Sequence, residues 1–180
     1  MTHCQANAQA MHLQFTLTLL STATDFEIFK GLLLEYAERD LDNPPNSTIW
    51  ADMAQLPGRY AAPGGAVLVA HFEGELAGCG AFVASAHDGI AEIKRVYVRE
   101  GFRRQGLART LTEALLTQAR QAGYRTAAIC TWPHNVQALA LYRQLGFLPI
   151  ASFREPAKDH LVFLGLPLDP TDPNKNLTPA

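Results

Sequence analysis

One short segment, residues 96–108, limits what this chain can fold into more than any other. It reads Val-Tyr-Val-Arg-Glu-Gly-Phe-Arg-Arg-Gln-Gly-Leu-Ala, which predicts a strand, then a turn rich in arginine and glycine, then the start of an amphipathic helix. The first turn of a helix has free backbone N–H groups and a partial positive charge. Because Gly106 and Ala108 are small, a diphosphate can approach these groups, and Arg103 and Arg104 would add charged donors. The segment alone also fits a solvated basic turn.

Charge is distributed unevenly along the 180 residues, although the net charge is only −2. Residues 1–93 carry 11 acidic and 3 basic side chains, whereas residues 94–125 carry 8 basic and 2 acidic ones. A general nucleic-acid binder needs a basic excess over the whole surface, so we expect no nucleic-acid partner. The basic segment instead indicates a local anion site around the turn.

The cysteines and histidines give no sign of a disulfide framework or a metal site, so we expect no metal. Cys4, Cys79 and Cys130 are odd in number and widely spaced, and none of the 6 histidines lies at a metal-ligand spacing. The N-terminus lacks a signal-peptide pattern, and no apolar run reaches the roughly 20 residues that span a bilayer. We therefore expect a cytoplasmic protein without a membrane partner.

Hydrophobic periodicity predicts a single mixed α/β domain over residues 13–168, with the element order β-α-α-β-β-β-α-β-α-β-β. A capping box at Thr24 and Glu27 is expected to begin the first helix, and a strand is expected over residues 147–153. Residues 1–12 and 169–180 show no apolar periodicity, so both are expected to be flexible segments.

A second segment, residues 135–147, reads Asn-Val-Gln-Ala-Leu-Ala-Leu-Tyr-Arg-Gln-Leu-Gly-Phe. Together with Arg103-x-x-Gly106-x-Ala108, it resembles the GNAT superfamily of acetyl-CoA-dependent N-acetyltransferases. The turn matches the family's Gln/Arg-x-x-Gly-x-Gly/Ala signature, and the later helix matches its Asn-x-x-Ala-x-x-Leu-Tyr-x-x-x-Gly-Phe pattern. The resemblance covers residues 92–147, where Glu100 and Arg104 replace residues that are commoner in the family.

The resemblance implies a three-layer α-β-α fold with a mostly antiparallel sheet, splayed between two middle parallel strands at residues 90–98 and 126–131. It implies acetyl-CoA as co-substrate, with the pantetheine arm held by backbone groups of Val96 and Val98. The pyrophosphate would lie on the turn formed by Arg103, Arg104, Gln105, Gly106, Leu107 and Ala108. Asn135 is expected to contact the cofactor or to cap its helix, and the two roles are compatible.

Two side chains are candidates for catalysis. Tyr142 corresponds to the family's tyrosine that protonates the departing sulfur, although its spacing also fits an ordinary core tyrosine. Glu92 is the leading candidate for the base that takes the proton of the amine, with ordered water as an alternative. A structural ion pair of Glu92 with Lys94 or Arg95 is equally open. Simple alternation would place Glu92 on the face of residues 96 and 98, provided that the strand has no bulge.

The acceptor is expected near the first helices and the last strands, where Tyr36, Asp40, Asp42, Trp50 and Arg154 are candidate contacts. The acidic first half suits a cationic acceptor, whereas Arg154 suits an acceptor with a carboxylate. We expect an N-acetyltransferase that acts on a primary amine of a small molecule or amino acid by direct attack in a ternary complex. A non-catalytic acetyl-CoA sensor and a peptide N-terminal acetyltransferase are the alternatives, and a homodimer is one option for assembly.

Overall fold

Seven strands form one sheet in the computed structural model, which describes residues 15–41, 47–154 and 160–168. The strands are β1 (Thr16–Leu19), β2 (Gly65–Phe72), β3 (Glu75–Ala84), β4 (Ile90–Val98), β5 (Thr126–Thr131), β6 (Leu148–Pro149) and β7 (Val162–Pro167). They lie in the order β1-β2-β3-β4-β5-β7-β6, and β4–β5 is the parallel pair in an otherwise antiparallel sheet. The segments 1–12 and 169–180, expected to be flexible, lie outside the described residues, as does Asp42.

Four α-helices, α1 (Ala23–Arg39), α2 (Ile49–Ala54), α3 (Leu107–Gln121) and α4 (Val136–Gln144), occur in these ranges. The predicted capping box at Thr24 and Glu27 is wrong by two residues, because Thr22 is the N-cap of α1. Thr22 Oγ1 accepts the Asp25 N–H at 3.2 Å, and Asp25 Oδ2 accepts the Thr22 N–H at 2.9 Å. The capping box at Thr22 starts the helix two residues earlier than one at Thr24, and the longer helix has more backbone hydrogen bonds. None of these helices is long and apolar enough to cross a membrane.

The helices cover both faces of the sheet, which confirms the predicted three-layer α-β-α architecture. On one face, side chains of α1 and α2 such as Phe29, Leu33 and Ile49 form a core with the sheet. On the other face, α3 and α4 contribute Leu111 and Tyr142 to a second core. Apolar stripes of this kind hold a helix on a sheet because burial removes their apolar surface from water.

The parallel strands β4 and β5 separate after three paired positions, of which Glu92 with Ala128 is the last. Beyond this position β4 continues beside β3 and β5 continues beside β7. The result is a wedge-shaped gap in the sheet, which we call the fork. The predicted splay between residues 90–98 and 126–131 is therefore present.

Strand β4 contains one extra residue at Arg95, which has a positive φ of 59°. The register with β3 shifts there, since Ala81 pairs with Lys94 while Cys79 pairs with Tyr97. This bulge reverses the alternation, so that Ile93 and Val96 both pack in the core against α3. The expectation that Glu92 shares a face with Val96 and Val98 is therefore wrong, because Glu92 projects toward α1 and α2.

The predicted strand over residues 147–153 is mostly absent, because β6 consists of Leu148 and Pro149 alone. Pro149 has no N–H to donate, which suits the short β6 to the edge of the sheet. Ile150 still donates its N–H to the Phe163 carbonyl at 3.1 Å. The chain then leaves the sheet and brings Arg154 toward the fork.

Candidate active site

The N-terminus of α3 presents a row of open backbone donors. Gly106 is its N-cap with a φ of 84°, and the Thr110 N–H makes the first helical hydrogen bond to the Gly106 carbonyl at 3.0 Å. In the described part of the chain, no acceptor is found for the backbone N–H groups of residues 104–109. Arg104 also has a positive φ, of 61°, which helps to curve this segment. Such a concave set of N–H groups binds phosphate groups well.

The two arginines before Gly106 differ in their surroundings. Arg103 donates from Nε to the Val98 carbonyl at 2.9 Å and from Nη2 to Asp40 Oδ2 at 2.6 Å, and this ion pair raises the pKa of Arg103. Arg104 is exposed and makes no side-chain hydrogen bond to another described residue. Asp40 was predicted on the acceptor side, but it lies against the turn before α3, because α1 ends beside Arg103.

The fork exposes one edge of β4 beside the core under α3. Val96 and Val98 are partly buried and pack against that core. Past Glu92 the backbone of β4 has no strand partner on the β5 side within the described ranges. Free backbone groups on such an edge can bind an extended amide-containing chain, as an added strand would.

Tyr142 is buried on α4, where its ring packs 5.7 Å from that of Phe147. Burial, assisted by the charge of Tyr36, raises the pKa of Tyr142 above its ordinary value, so the phenol is protonated at neutral pH. Its hydroxyl makes no hydrogen bond to any other described residue. Tyr142 can therefore pack in the core and still have a hydroxyl that is available to donate a proton.

Asn135 occupies the N-cap position of α4, but its side chain does not cap the helix. Its Nδ2 instead donates to Thr131 Oγ1 at 2.9 Å, which ties the start of α4 to the end of β5. The expected capping role is thus confirmed in position and wrong in mechanism. The backbone angles of Asn135, φ −74° and ψ 60°, differ from the extended conformation that N-caps usually adopt. This difference accounts for the missing side-chain cap.

Glu92 lies at the apex of the fork and is buried, with 5% of its surface exposed. Its Oε1 accepts hydrogen bonds from Arg154 Nη2 and from the Cys130 thiol, the latter at 3.8 Å, and its Oε2 lies 3.6 Å from Arg59 Nη2. The alternative of a structural ion pair at Glu92 is therefore present, but its partners are Arg59 and Arg154 and not Lys94 or Arg95. Those two side chains turn to a different carboxylate.

That carboxylate belongs to Asp52 on α2, which the sequence analysis did not single out. Asp52 Oδ2 accepts hydrogen bonds from Tyr60 Oη at 2.6 Å, Lys94 Nζ at 3.3 Å, and Arg95 Nη2 and Nε at 2.5 and 3.1 Å. Burial alone would raise the pKa of Asp52, but these charges and hydrogen bonds hold it below its ordinary value. Because Arg95 is the inserted residue of β4, Asp52 holds the bulge in place. An aspartate among the apolar positions of a short helix was the one available signal.

The remaining acceptor candidates separate into two places. Tyr36 stacks on Tyr97 of β4 with ring centroids 5.4 Å apart, so it lies on the side of the sheet that Glu92 faces. Trp50 lies about 200° around α2 from Asp52. It lines a groove of about 360 Å³ between α1 and α2 with Lys30 and Met53. The structure therefore does not bring Trp50 to the fork, whereas it does bring Arg154 there.

Comparison with known proteins agrees with this arrangement. The sequence model of the acetyltransferase (GNAT) family matches residues 29–147. An IAA acetyltransferase of Azospirillum brasilense is 32% identical over 139 residues, which cover 76% of this chain and 88% of that protein.

Two solved structures share the fold. A Klebsiella pneumoniae protein assigned as an acyl-CoA N-acyltransferase superposes with a TM-score of 0.67 and 30% identity, over 87% of this chain and 99% of that one. The yncA protein of Salmonella typhimurium, assigned as an acetyltransferase and solved with its cofactor acetyl-CoA, superposes with a TM-score of 0.65 over 86% of this chain and 95% of that one. Its identity of 22% makes it a likeness in fold alone.

Proposed function

The chain belongs to the GNAT family of acetyltransferases and is an acetyl-CoA-dependent acyltransferase, and from this premise we propose that it acetylates a primary amine of a small molecule or amino acid. The transfer is direct, with both substrates bound at once, in a single domain of residues 13–168. One observation carries the proposal: the fork and the open donors of α3 are consecutive along the chain, since β4 ends at Val98 and α3 begins after Gly106.

The cofactor is proposed to lie across these two features. The backbone N–H groups of residues 104–109 hold the pyrophosphate, and the free Arg104 side chain adds charge. Arg103 contributes mainly by fixing the turn, because Asp40 and the Val98 carbonyl already occupy its donors. Val96 and Val98 offer the edge of β4 to the pantetheine arm, and Asn135 lies at the far side of the fork. The presence of acetyl-CoA in the yncA structure supports this molecule as the co-substrate.

The chemistry then requires two proton movements. The amine nitrogen attacks the thioester carbonyl carbon, a C–N bond forms, the C–S bond breaks, and sulfur receives the proton of the Tyr142 hydroxyl. An ordinary thiol has a pKa of about 8.5, below that of a phenol, so this transfer is uphill for a solvated thiolate. Inside the fork, burial destabilises the thiolate as well, which raises the pKa of the departing thiol and brings the two groups closer.

The proton that the amine loses passes to Glu92 or to water beside it, and solvent returns a proton to Tyr142 and takes one from Glu92 after the products leave. Glu92 is placed at the apex of the fork, but Arg154 and Arg59 engage both of its oxygens. It therefore acts as a base only when one of these contacts loosens. Tyr36 on the same side of the sheet is proposed as an acceptor contact.

Two measurements test this function. Thermal stabilisation by acetyl-CoA or CoA reports the cofactor, and release of free thiol with a panel of amines and amino acids reports transfer. Stabilisation together with thiol release from at least one acceptor is the expected result. Stabilisation without release from any acceptor would point to the sensor function, and absence of stabilisation would exclude both.

Tyr142→Phe separates the proposed acid from a core tyrosine. The variant keeps the packing of the ring, so we expect acetyl-CoA affinity to change little while kcat falls on the order of 10²-fold, as for the loss of a general acid. Tyr124→Phe is the matched control, because that hydroxyl donates to the Gly64 carbonyl at 2.8 Å, away from the fork. Equal kcat values for the two variants would remove Tyr142 as the acid.

A further inference from the structure

A connected group of charged side chains lines the face of the fork opposite α3. It lies between the core under α1 and a small apolar cluster formed by Ala128, Phe153 and Phe163. We call it the cation cluster, and its described members are four bases and two acids: Arg59, Lys94, Arg95, Arg154, Asp52 and Glu92. The cluster therefore has an excess of two positive charges beside the place where the acceptor must reach the thioester.

Each half of the cluster carries one excess positive charge. In the first half, Asp52 pairs with both Lys94 and Arg95, whose side chains are 9% exposed. Glu92 alone must balance both Arg59 and Arg154. Arg59 reaches it only at 3.6 Å and keeps 48% of its side chain exposed. A second anion is needed to balance this half.

Arg154 has an open donor within the cluster. Its Nη2 is used by Glu92, but its Nε is buried and has no hydrogen-bond partner in the part of the chain that the structure describes. A buried donor without a partner destabilises the folded state, and such groups are rare in folded proteins. Because Arg side chains bind carboxylates through two parallel N–H groups, the open Nε and the neighbouring nitrogens of Arg154 form a half-occupied carboxylate site.

On the basis of the proposed function, we propose that the acceptor amine also carries a carboxylate, and that Arg154 and Arg59 bind it beside Glu92. Amino acids and similar amino-carboxylates are the substrate class. The cationic acceptor that the acidic first half of the sequence suggested does not fit, because the charge at the fork has the opposite sign.

The same arrangement explains how Glu92 becomes available. A carboxylate on Arg154 shares the positive charge that Glu92 otherwise holds alone, which loosens the contact to its Oε1. The ammonium group of the acceptor then replaces that contact, so each charge of the zwitterion meets an opposite charge in the protein. Amines without a carboxylate leave Glu92 paired with Arg154 and bind without this exchange.

Matched acceptors test the inference. Each amino acid is compared with its carboxamide and with its decarboxylated amine by thiol release, for the wild type, Arg154→Gln, Arg154→Lys and Arg59→Gln. We expect the wild type to prefer the amino acid, and Arg154→Gln to raise its KM roughly 10- to 100-fold, the effect of one charge-assisted hydrogen bond. The KM of the decarboxylated amine should not rise, because this acceptor has no carboxylate to lose, and Arg154→Lys should restore only part of the loss.

Arg59→Gln and one added control variant exclude misfolding and general charge effects as explanations. Arg59→Gln removes a half-exposed group, so it tests the site even where Arg154→Gln is unstable. Arg125→Gln is the control, since Arg125 is exposed at the end of β5 away from the fork. It should leave the preference unchanged.

The outcomes separate this inference from the proposed function. If amino acid and decarboxylated amine are used within the roughly threefold range of a surface ion pair, transfer stands and the carboxylate site is refuted. If no acceptor releases thiol, transfer fails, and the site is judged by calorimetry of CoA-loaded protein with the N-acetyl derivatives of the same amino acids. Binding that weakens in Arg154→Gln supports the site, and absence of binding overturns it.

Discussion

Replacement of Asp52 by asparagine tests whether the buried carboxylate on α2 supports the bulge in β4. Asp52 is 9% exposed and accepts four hydrogen bonds, three of them from the cations Lys94 and Arg95. Asparagine keeps the shape and one oxygen but removes the negative charge. Both cations, each with a 9% exposed side chain, then lose the carboxylate that balances them.

The expected cost follows from this burial. Removing one partner of a buried ion pair costs about 3–5 kcal/mol, because the remaining charge is left without compensation. The retained amide oxygen still accepts from Tyr60, so we expect the lower end, about 3 kcal/mol. For a domain of this size, each kcal/mol lowers the melting temperature by about 2–4 °C, which gives a loss of roughly 6–12 °C.

The assay is urea unfolding of both proteins, with thiol release measured well below the midpoint. Glu113→Gln is the matched control, because Glu113 forms an exposed i,i+4 pair with Arg109 at 3.5 Å and should contribute at most about 0.5 kcal/mol. Folded Asp52→Asn should also show a lower kcat, since Arg95 is no longer held by the carboxylate. A stability loss no larger than that of Glu113→Gln would refute the role of Asp52.

Two further expectations concern the turn before α3 and the loss of stability at low pH. Gly106→Ala places a β-carbon on a residue with a φ of 84°, so we expect a stability loss of about 1–2 kcal/mol and acetyl-CoA binding weaker by about tenfold in calorimetry. Gly101→Ala, with nothing within 4 Å of the new carbon, should do neither, and equal affinities would contradict the role of Gly106. Because the pKa of Asp52 is lowered from 3.8 in the folded protein, its stabilising effect is complete above that pH and is lost as the pH falls through the folded value. Melting temperatures between pH 5 and 2 should therefore fall less steeply for Asp52→Asn than for the wild type, and parallel curves would oppose this.

Local patterns predicted the parts of the site that depend on neighbouring residues. The turn before α3 and the strand Ile90–Val98 follow from residue types that lie close together in sequence, and the structure has both where they were expected. The order of elements and the two motifs were sufficient for the fold, because each helix and strand has its own periodicity.

The charged contacts could not be predicted in the same way. Glu92 pairs with Arg154 across 62 positions, Asp52 with Arg95 across 43, and Asp40 with Arg103 across 63. These pairs depend on how the sheet and helices pack, and several acids compete for each base. The bulge at Arg95 made the expected face of Glu92 relative to Val96 and Val98 wrong, since one extra residue in a strand changes the direction of every side chain after it.

The bulge determines which face of the sheet each residue of β4 after Arg95 occupies. If Arg95 instead took a regular strand position, β4 would have one uninterrupted alternation, so Val96 and Val98 would face α1 while Tyr97 would turn into the core under α3. The second half of the strand would exchange its surroundings although no residue is changed. With the bulge, Glu92 and Lys94 lie on the side of α1 and α2, whereas Val96 and Val98 pack on the side of α3. Under the proposed function, a change at Glu92 or Lys94 can therefore alter acceptor preference without altering the edge that Val96 and Val98 offer to the cofactor.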